Sequence, residues 1–137
     1  MSSPSYARNL RDAAFVAAIA LPAAAATAYT PSLNIGQTVD QNLEAMEFEI
    51  AVPALPALVE NKTVTISVQD SADNSSFAAI DPAISTVITG GSGNGAAAKT
   101  VRFRLPSTAR KYVRLKIDVL TAGGDNTGVS ATLSALF

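Results

Sequence analysis

The sequence predicts an all-β domain: a β-sandwich or jelly roll of about seven to eight strands with an extended N-terminal arm. Three observations predict it. From Glu44 onward, apolar side chains recur at every second position in successive runs, the period of a strand with one buried face. Clusters of Pro, Gly, Asn, Asp and Ser separate these runs at roughly 8–15-residue spacing, the rhythm of sandwiches and barrels. The 137 residues given suffice for one domain that hides roughly 68% of its unfolded surface. Each strand carries one apolar face, so two sheets must meet to be dry.

The arm comes first. Ser2, Ser3, Pro4 and Ser5 are polar, and Arg8 and Arg11 precede an apolar run from Ala13 to Leu21. Residues 1–28 imitate a secretory signal, with small-residue sites in the alanine tract Ala23–Ala28, but Asp12 abuts the apolar run. The run is also shorter than the ~20 residues a membrane-spanning helix needs. An arm is the better reading, with residues 1–35 holding the arm and first apolar segment and 36–137 the sandwich. Leu10, Ala14, Ala17 and Leu21 fit one helical face, whereas Phe15, Ala17, Ile19 and Leu21 fit one strand face. Pro22 ends either element. A strand is expected because everything downstream is β, and residues 1–35 are expected to lie against a neighbouring subunit.

Met46, Phe48, Ile50 and Val52 alternate with Glu47, Glu49 and Ala51, and Pro53 and Pro56 close that strand. Val64, Ile66 and Val68 alternate with Thr63, Thr65, Ser67 and Gln69. Asp70 to Ser76 is a turn by chemistry, because Asp, Asn and Ser side chains bond their own backbone. Phe77 to Ile80 is a short return before Pro82, and Ile84 to Thr89 is rich in β-branched residues. Val101, Phe103 and Leu105 alternate with Arg102 and Arg104; Val113, Leu115, Ile117 and Val119 alternate with Tyr112, Arg114, Lys116 and Asp118. Val129 to Phe137 is the last strand. No internal repeat of solenoid or propeller length is evident.

Composition excludes whole classes of chemistry. The chain has no cysteine, histidine or tryptophan, so disulfides, Cys/His zinc sites and histidine-based triads are impossible. Gly91-Ser92-Gly93-Asn94-Gly95-Ala96 formally matches a dinucleotide fingerprint, but a strand pattern follows where a helix is required, so a flexible glycine-rich loop is expected. Asp70, Asp73 and Asn74 fail the spacing of a calcium loop. Asn61-Lys62-Thr63 and Asn74-Ser75-Ser76 match the glycosylation sequon only formally. Glu47 and Glu49 share a strand face, but alternation puts them on the expected solvent side. No catalytic residue, metal ligand or cofactor site is expected, and the chain reads as a non-enzyme.

Charged residues are 15% of the chain, with a net charge of −1, against about 25% charged residues in an average domain. The charges are segregated. Lys99, Arg102, Arg104, Arg110, Lys111, Arg114 and Lys116 form a basic block, while Asp40, Glu44, Glu47, Glu49, Glu60, Asp70, Asp73 and Asp81 form an acidic one. If the two basic strands pair through the Pro106–Arg110 turn, Arg102, Arg104, Arg114 and Lys116 share one face. Two readings stay open: cross-strand neutralisation at about 0.2–1 kcal/mol per pair, or a polarised face that orients a partner. Nucleic-acid binding is disfavoured, because Tyr112 is the stripe's only aromatic.

Three stretches carry a resemblance. They are Asn9–Ala14 leading to Leu33-Asn34-Ile35-Gly36, Val52–Leu58 running into Thr63–Asp70 and Ser71–Phe77, and Leu105–Leu115. Together they resemble the jelly-roll capsid cement (decoration) proteins of tailed bacteriophages. That resemblance implies a structural virion protein on the outer capsid surface, made in the host cytoplasm. It would bind the major capsid protein at junctions between subunits and associate with itself as a dimer or trimer. No membrane, specific nucleic acid or cofactor is implied. The interface residues expected on this basis are Tyr6, Arg8, Arg11 and Phe15 in the arm and Arg102, Arg104, Arg114 and Lys116 on the basic strands. The Ser71–Phe77 and Tyr112–Leu115 strings also look like carbohydrate-binding β-sandwich modules of the discoidin kind. The alternative function is therefore a sugar-binding module of a phage tail or fibre.

Overall fold

The structure, a computed structural model, describes the backbone of residues 11–35, 47–106 and 108–136, and side chains of 16–35, 47–106 and 108–135. It is an all-β sandwich of two antiparallel sheets, with no helix among the described residues. The strands are β1 (Arg11–Ala20), β2 (Thr27–Tyr29), β3 (Leu33–Asn34), β4 (Glu47–Val52), β5 (Thr63–Ser71), β6 (Ala78–Ala79), β7 (Ser85–Thr89), β8 (Lys99–Arg104), β9 (Tyr112–Val119) and β10 (Ser130–Leu136). One sheet runs β1-β10-β4-β8; the other runs β2-β9-β5-β6, with β3 also on β9 and β7 also on β5. In the second sheet each outer column is therefore two short strands. The breaks fall around Pro31 and Pro82, where no N–H is available to a ladder.

Alternation does the sorting. Phe48, Ile50 and Val52 of β4 meet Val64, Ile66 and Val68 of β5 and Val113, Leu115, Ile117 and Val119 of β9 in one buried core. Phe48 and Phe103 stack within it, ring centroids 5.8 Å apart at 21°. Leu55 and Leu58, fully buried, close one end beneath the proline-rich loop. The 91–96 loop is hydrogen-bonded where flexibility was expected. Gly91 N–H donates to Gly95 O at 2.8 Å and Gly95 N–H to Leu58 O at 2.7 Å, while the Asn94 side chain accepts from the Glu60 amide at 3.0 Å.

Three expectations are corrected. Residues 11–35 belong to the sandwich itself: β1 pairs with β10 from Val16↔Ser134 to Ala20↔Ser130, and β2 and β3 pair with β9. Ala17 and Leu21 are buried core. Second, β8 and β9 do not pair. The Leu105–Lys111 link crosses between sheets because Leu105 and Ala109 bury themselves at 1% and 2% exposure; β8 then joins β4, and β9 joins β5. Arg102 and Arg104 thus lie on one outer face of the sandwich and Arg114 and Lys116 on the other. Third, Glu49 is 3% exposed, not solvated. It sits in register between Ser134 and Arg102 and accepts from Arg102 Nε at 3.2 Å.

Candidate functional site

One cation of the basic strand β8, Arg102, is neutralised where it lies. Its register places Arg104 opposite Glu47 and Arg102 opposite Glu49, and Arg102 also reaches Glu47 at 3.7 Å. This is the cross-strand reading of the segregated charges, realised on the four-stranded sheet. Arg11 pairs with Leu136 at the end of β1, and Phe15 lies in the same strand; both side chains are outside the described set. Tyr6 and Arg8 lie outside the described residues.

Polar and aromatic side chains gather instead on the outer face of the six-stranded sheet. Alternation along β9 sends Tyr112, Arg114, Lys116 and Asp118 there, and register supplies their neighbours. Thr27 and Thr65 flank Asp118, Tyr29 and Ser67 flank Lys116, and Gln69 lies beside Arg114. The Arg114 guanidinium is held between two rings, its Cζ 4.0 Å from the Tyr29 centroid and 3.9 Å from that of Phe77. Its Nε donates to Gln69 Oε1 at 2.9 Å. Burial between the rings lowers the Arg114 pKa from the ordinary arginine value, partly opposed by Tyr29. The Ser32 hydroxyl, in the link between β2 and β3, donates to Asn74 Oδ1 at 2.6 Å in the turn before Phe77.

Beyond Tyr29 along the same face, Lys116 Nζ lies 3.8 Å from Asp118 Oδ2, and the Thr27 hydroxyl donates to Asp118 Oδ1. There the surface opens into a cavity of about 270 Å³ whose walls include Thr27, Thr63, Thr65, Asp118, Leu120 and Thr121. The wall residue Ala25, at φ 65°, and Ala122, at φ 62° next to the wall residue Thr121, are in the left-handed region, a conformation that costs about 1–2 kcal/mol for an L-residue. Among the described residues no group of three acidic, His or Cys side chains is placed to hold a metal. No helix among them is long and apolar enough to cross a membrane.

Sequence reasoning placed Arg114 and Lys116 on an exposed face but missed Tyr29, Phe77 and the threonine cavity. Tyr29 and Phe77 come from separate edge segments, and only the strand order brings them to Arg114.

Fold and face together define an antiparallel β-sandwich with a polar, aromatic-braced outer surface on its larger sheet. No family model matches the chain, and no curated protein matches it. Among solved structures, one described as "Family 16 Carbohydrate Binding Module-2" aligns with a TM-score of 0.34 and 12% identity, over 84% of this chain and 71% of that one.

Proposed function

We propose that this chain is a structural virion protein that docks on the outer surface of an icosahedral phage capsid and braces junctions between major capsid subunits, with no reaction turned over. The phage assignment rests on the sequence resemblance; the structural observation that supports a docking role is strand β1. Sheet edges invite strand addition and are normally blunted. In the six-stranded sheet the edges are broken at prolines. The β8 edge carries Lys99, Arg102 and Arg104, and Lys99 Nζ donates across the sandwich to Val87 O at 3.1 Å. β1, the edge opposite β8, opens with Arg11 and Asp12 and shifts register before Val16; from there Val16-Ala17-Ala18-Ile19-Ala20 runs without charge or proline. Val16 is 38% exposed, and Ala18 and Ala20 are exposed beside it. Small side chains let a partner's backbone approach this edge and pair with it, the recognition mode of β-augmentation. On a shell that repeats one junction many times, modest affinity per copy stabilises the assembled state by mass action.

The test is co-sedimentation with purified particles. Near-stoichiometric recovery with the major coat subunit is expected, and the Val16→Lys/Ala18→Lys variant should lose shell binding while keeping its β-sheet spectrum. Deleting residues 1–12 should weaken binding as well. Virions that lack the protein, or full binding by the lysine variant, would refute the proposal. A second reading, a carbohydrate-binding module, is favoured by the cavity and aromatic bracket on the opposite sheet.

A further inference from the structure

We infer that the outer face of the six-stranded sheet is a saccharide groove, with one pyranose ring seated in the threonine-lined cavity against Asp118 and the next carried over the Tyr29 ring. This rests on the second reading above and assigns its site.

The lining selects the ligand class. Thr27, Thr63, Thr65 and Thr121 present hydroxyls that both donate and accept, whereas the Asp118 carboxylate only accepts. A polyol, rich in O–H donors, satisfies that mixture. A phosphate or nucleic-acid backbone finds no Lys or Arg on that lining to pair with. Leu120, 47% exposed on the cavity wall, offers the apolar surface that the C–H face of a sugar ring needs. A cavity of about 270 Å³ falls just below the ~300–1,000 Å³ range of drug-sized pockets, so it admits a single ring and leaves the rest of a chain on the open face.

Tyr29 lies on the path out. It follows Thr27 by two residues on the same face of β2, roughly 6.6 Å along the strand, and is 42% exposed. Arg114 covers one side of its ring. By register, Thr27 and Asp118 lie on the side away from Arg114, so the free side of the ring is turned toward the cavity. The guanidinium, itself clamped by Phe77 and Gln69, fixes the Tyr29 rotamer before any ligand arrives. That lowers the ordering cost of binding.

A backbone-amide NMR titration of the full chain tests this, with maltohexaose, cellohexaose, laminarihexaose and chitohexaose as probes and bacterial surface polysaccharide as a fifth. At least one probe should shift the amides of Thr27, Thr65, Asp118 and Thr121. Tyr29→Ala and Thr65→Val should each weaken that probe about tenfold or more. Tyr29→Phe, which keeps the ring, should stay close to the parent, and Thr132→Ala on the other sheet should leave binding unchanged. Binding whose shifts map elsewhere, or that survives both Tyr29→Ala and Thr65→Val in folded protein, would overturn the groove and leave the carbohydrate reading standing. Failure of every probe to bind would overturn both.

Discussion

Replacing Arg110 with alanine removes the partner of a buried charge. Asp70 is 4% exposed at the end of β5. Its carboxylate accepts from Arg110 Nε at 3.1 Å, Arg110 Nη2 at 2.7 Å and the Arg110 backbone N–H at 3.0 Å. Arg110 Nη2 also donates to Asp70 O at 2.9 Å. These bonds tie the link that crosses between sheets to β5, the neighbour of the strand it enters, and the hydrogen bond to Asp70 raises the Arg110 pKa. Breaking a buried pair from one side typically costs about 3–5 kcal/mol. Here the Arg110 side chain is 42% exposed, so water replaces part of what is lost, and we expect about 2–3 kcal/mol. At about 4 °C per kcal/mol for a domain of this size, the melting temperature should fall by roughly 8–12 °C. Urea denaturation of Arg110→Ala, Asp70→Leu and the Asp70→Leu/Arg110→Leu double variant checks it. The double variant should be more stable than Arg110→Ala, because it no longer strands a buried carboxylate. A loss under about 0.5 kcal/mol for Arg110→Ala, or a double variant worse than the single, would refute the reasoning.

Other expected outcomes follow from the same structure. The Ser76 amide, the Ser71 hydroxyl and the Ser75 amide bond to Asp73 and hold its carboxyl down at about 2, from 3.8. The folded pKa is depressed, so the stabilisation is complete above pH 3.8 and lost as pH falls toward 2; the carboxyl NMR shift of Asp73 should titrate with that midpoint, and a midpoint near 4 would contradict the turn. Gly124 has φ +91° and a Cβ there would stand 2.2 Å from Ala57 O, whereas one on Gly128 would meet nothing within 4 Å. Gly124→Ala should therefore lose more than ~2 kcal/mol in urea melts and Gly128→Ala should be neutral or gain up to about 1 kcal/mol. Phe48→Ala, which deletes a fully buried ring stacked on Phe103, should cost about 3–5 kcal/mol by the same measurement.

Much of the sandwich was legible because alternation is a local signal. The runs at β4, β5, β9 and β10 announce their buried faces residue by residue, and the prolines and Asp/Asn/Ser turns announce where they stop. Strand order was not legible. β8 and β9 adjoin in sequence across a short link, and nothing local in that link distinguishes a hairpin from a crossover. The deciding facts are the burial of Leu105 and Ala109 and the hold of Asp70 on Arg110, all tertiary. The first apolar segment was ambiguous for a related reason: alanine fits helix and strand alike, and the β10 ladder decides for the strand.

The same limit explains why the segregated charges do not gather into one patch. A block of cations in sequence becomes a surface patch only if its strands are neighbours, and here they fall on opposite sheets. On the four-stranded sheet the acids of β4 meet Arg102 and Arg104 in register, so the blocks help to fix the pairing of β4 with β8. That follows because a one-residue slip would send Glu47 and Glu49 to the core face. On the six-stranded sheet Arg114 gives its charge to two rings and Gln69, and Lys116 lies near Asp118. Arg102, Arg114 and Lys116 are thus engaged inside the fold. The two candidate surfaces, the Val16–Ala20 segment of β1 and the threonine-lined cavity, belong to different sheets.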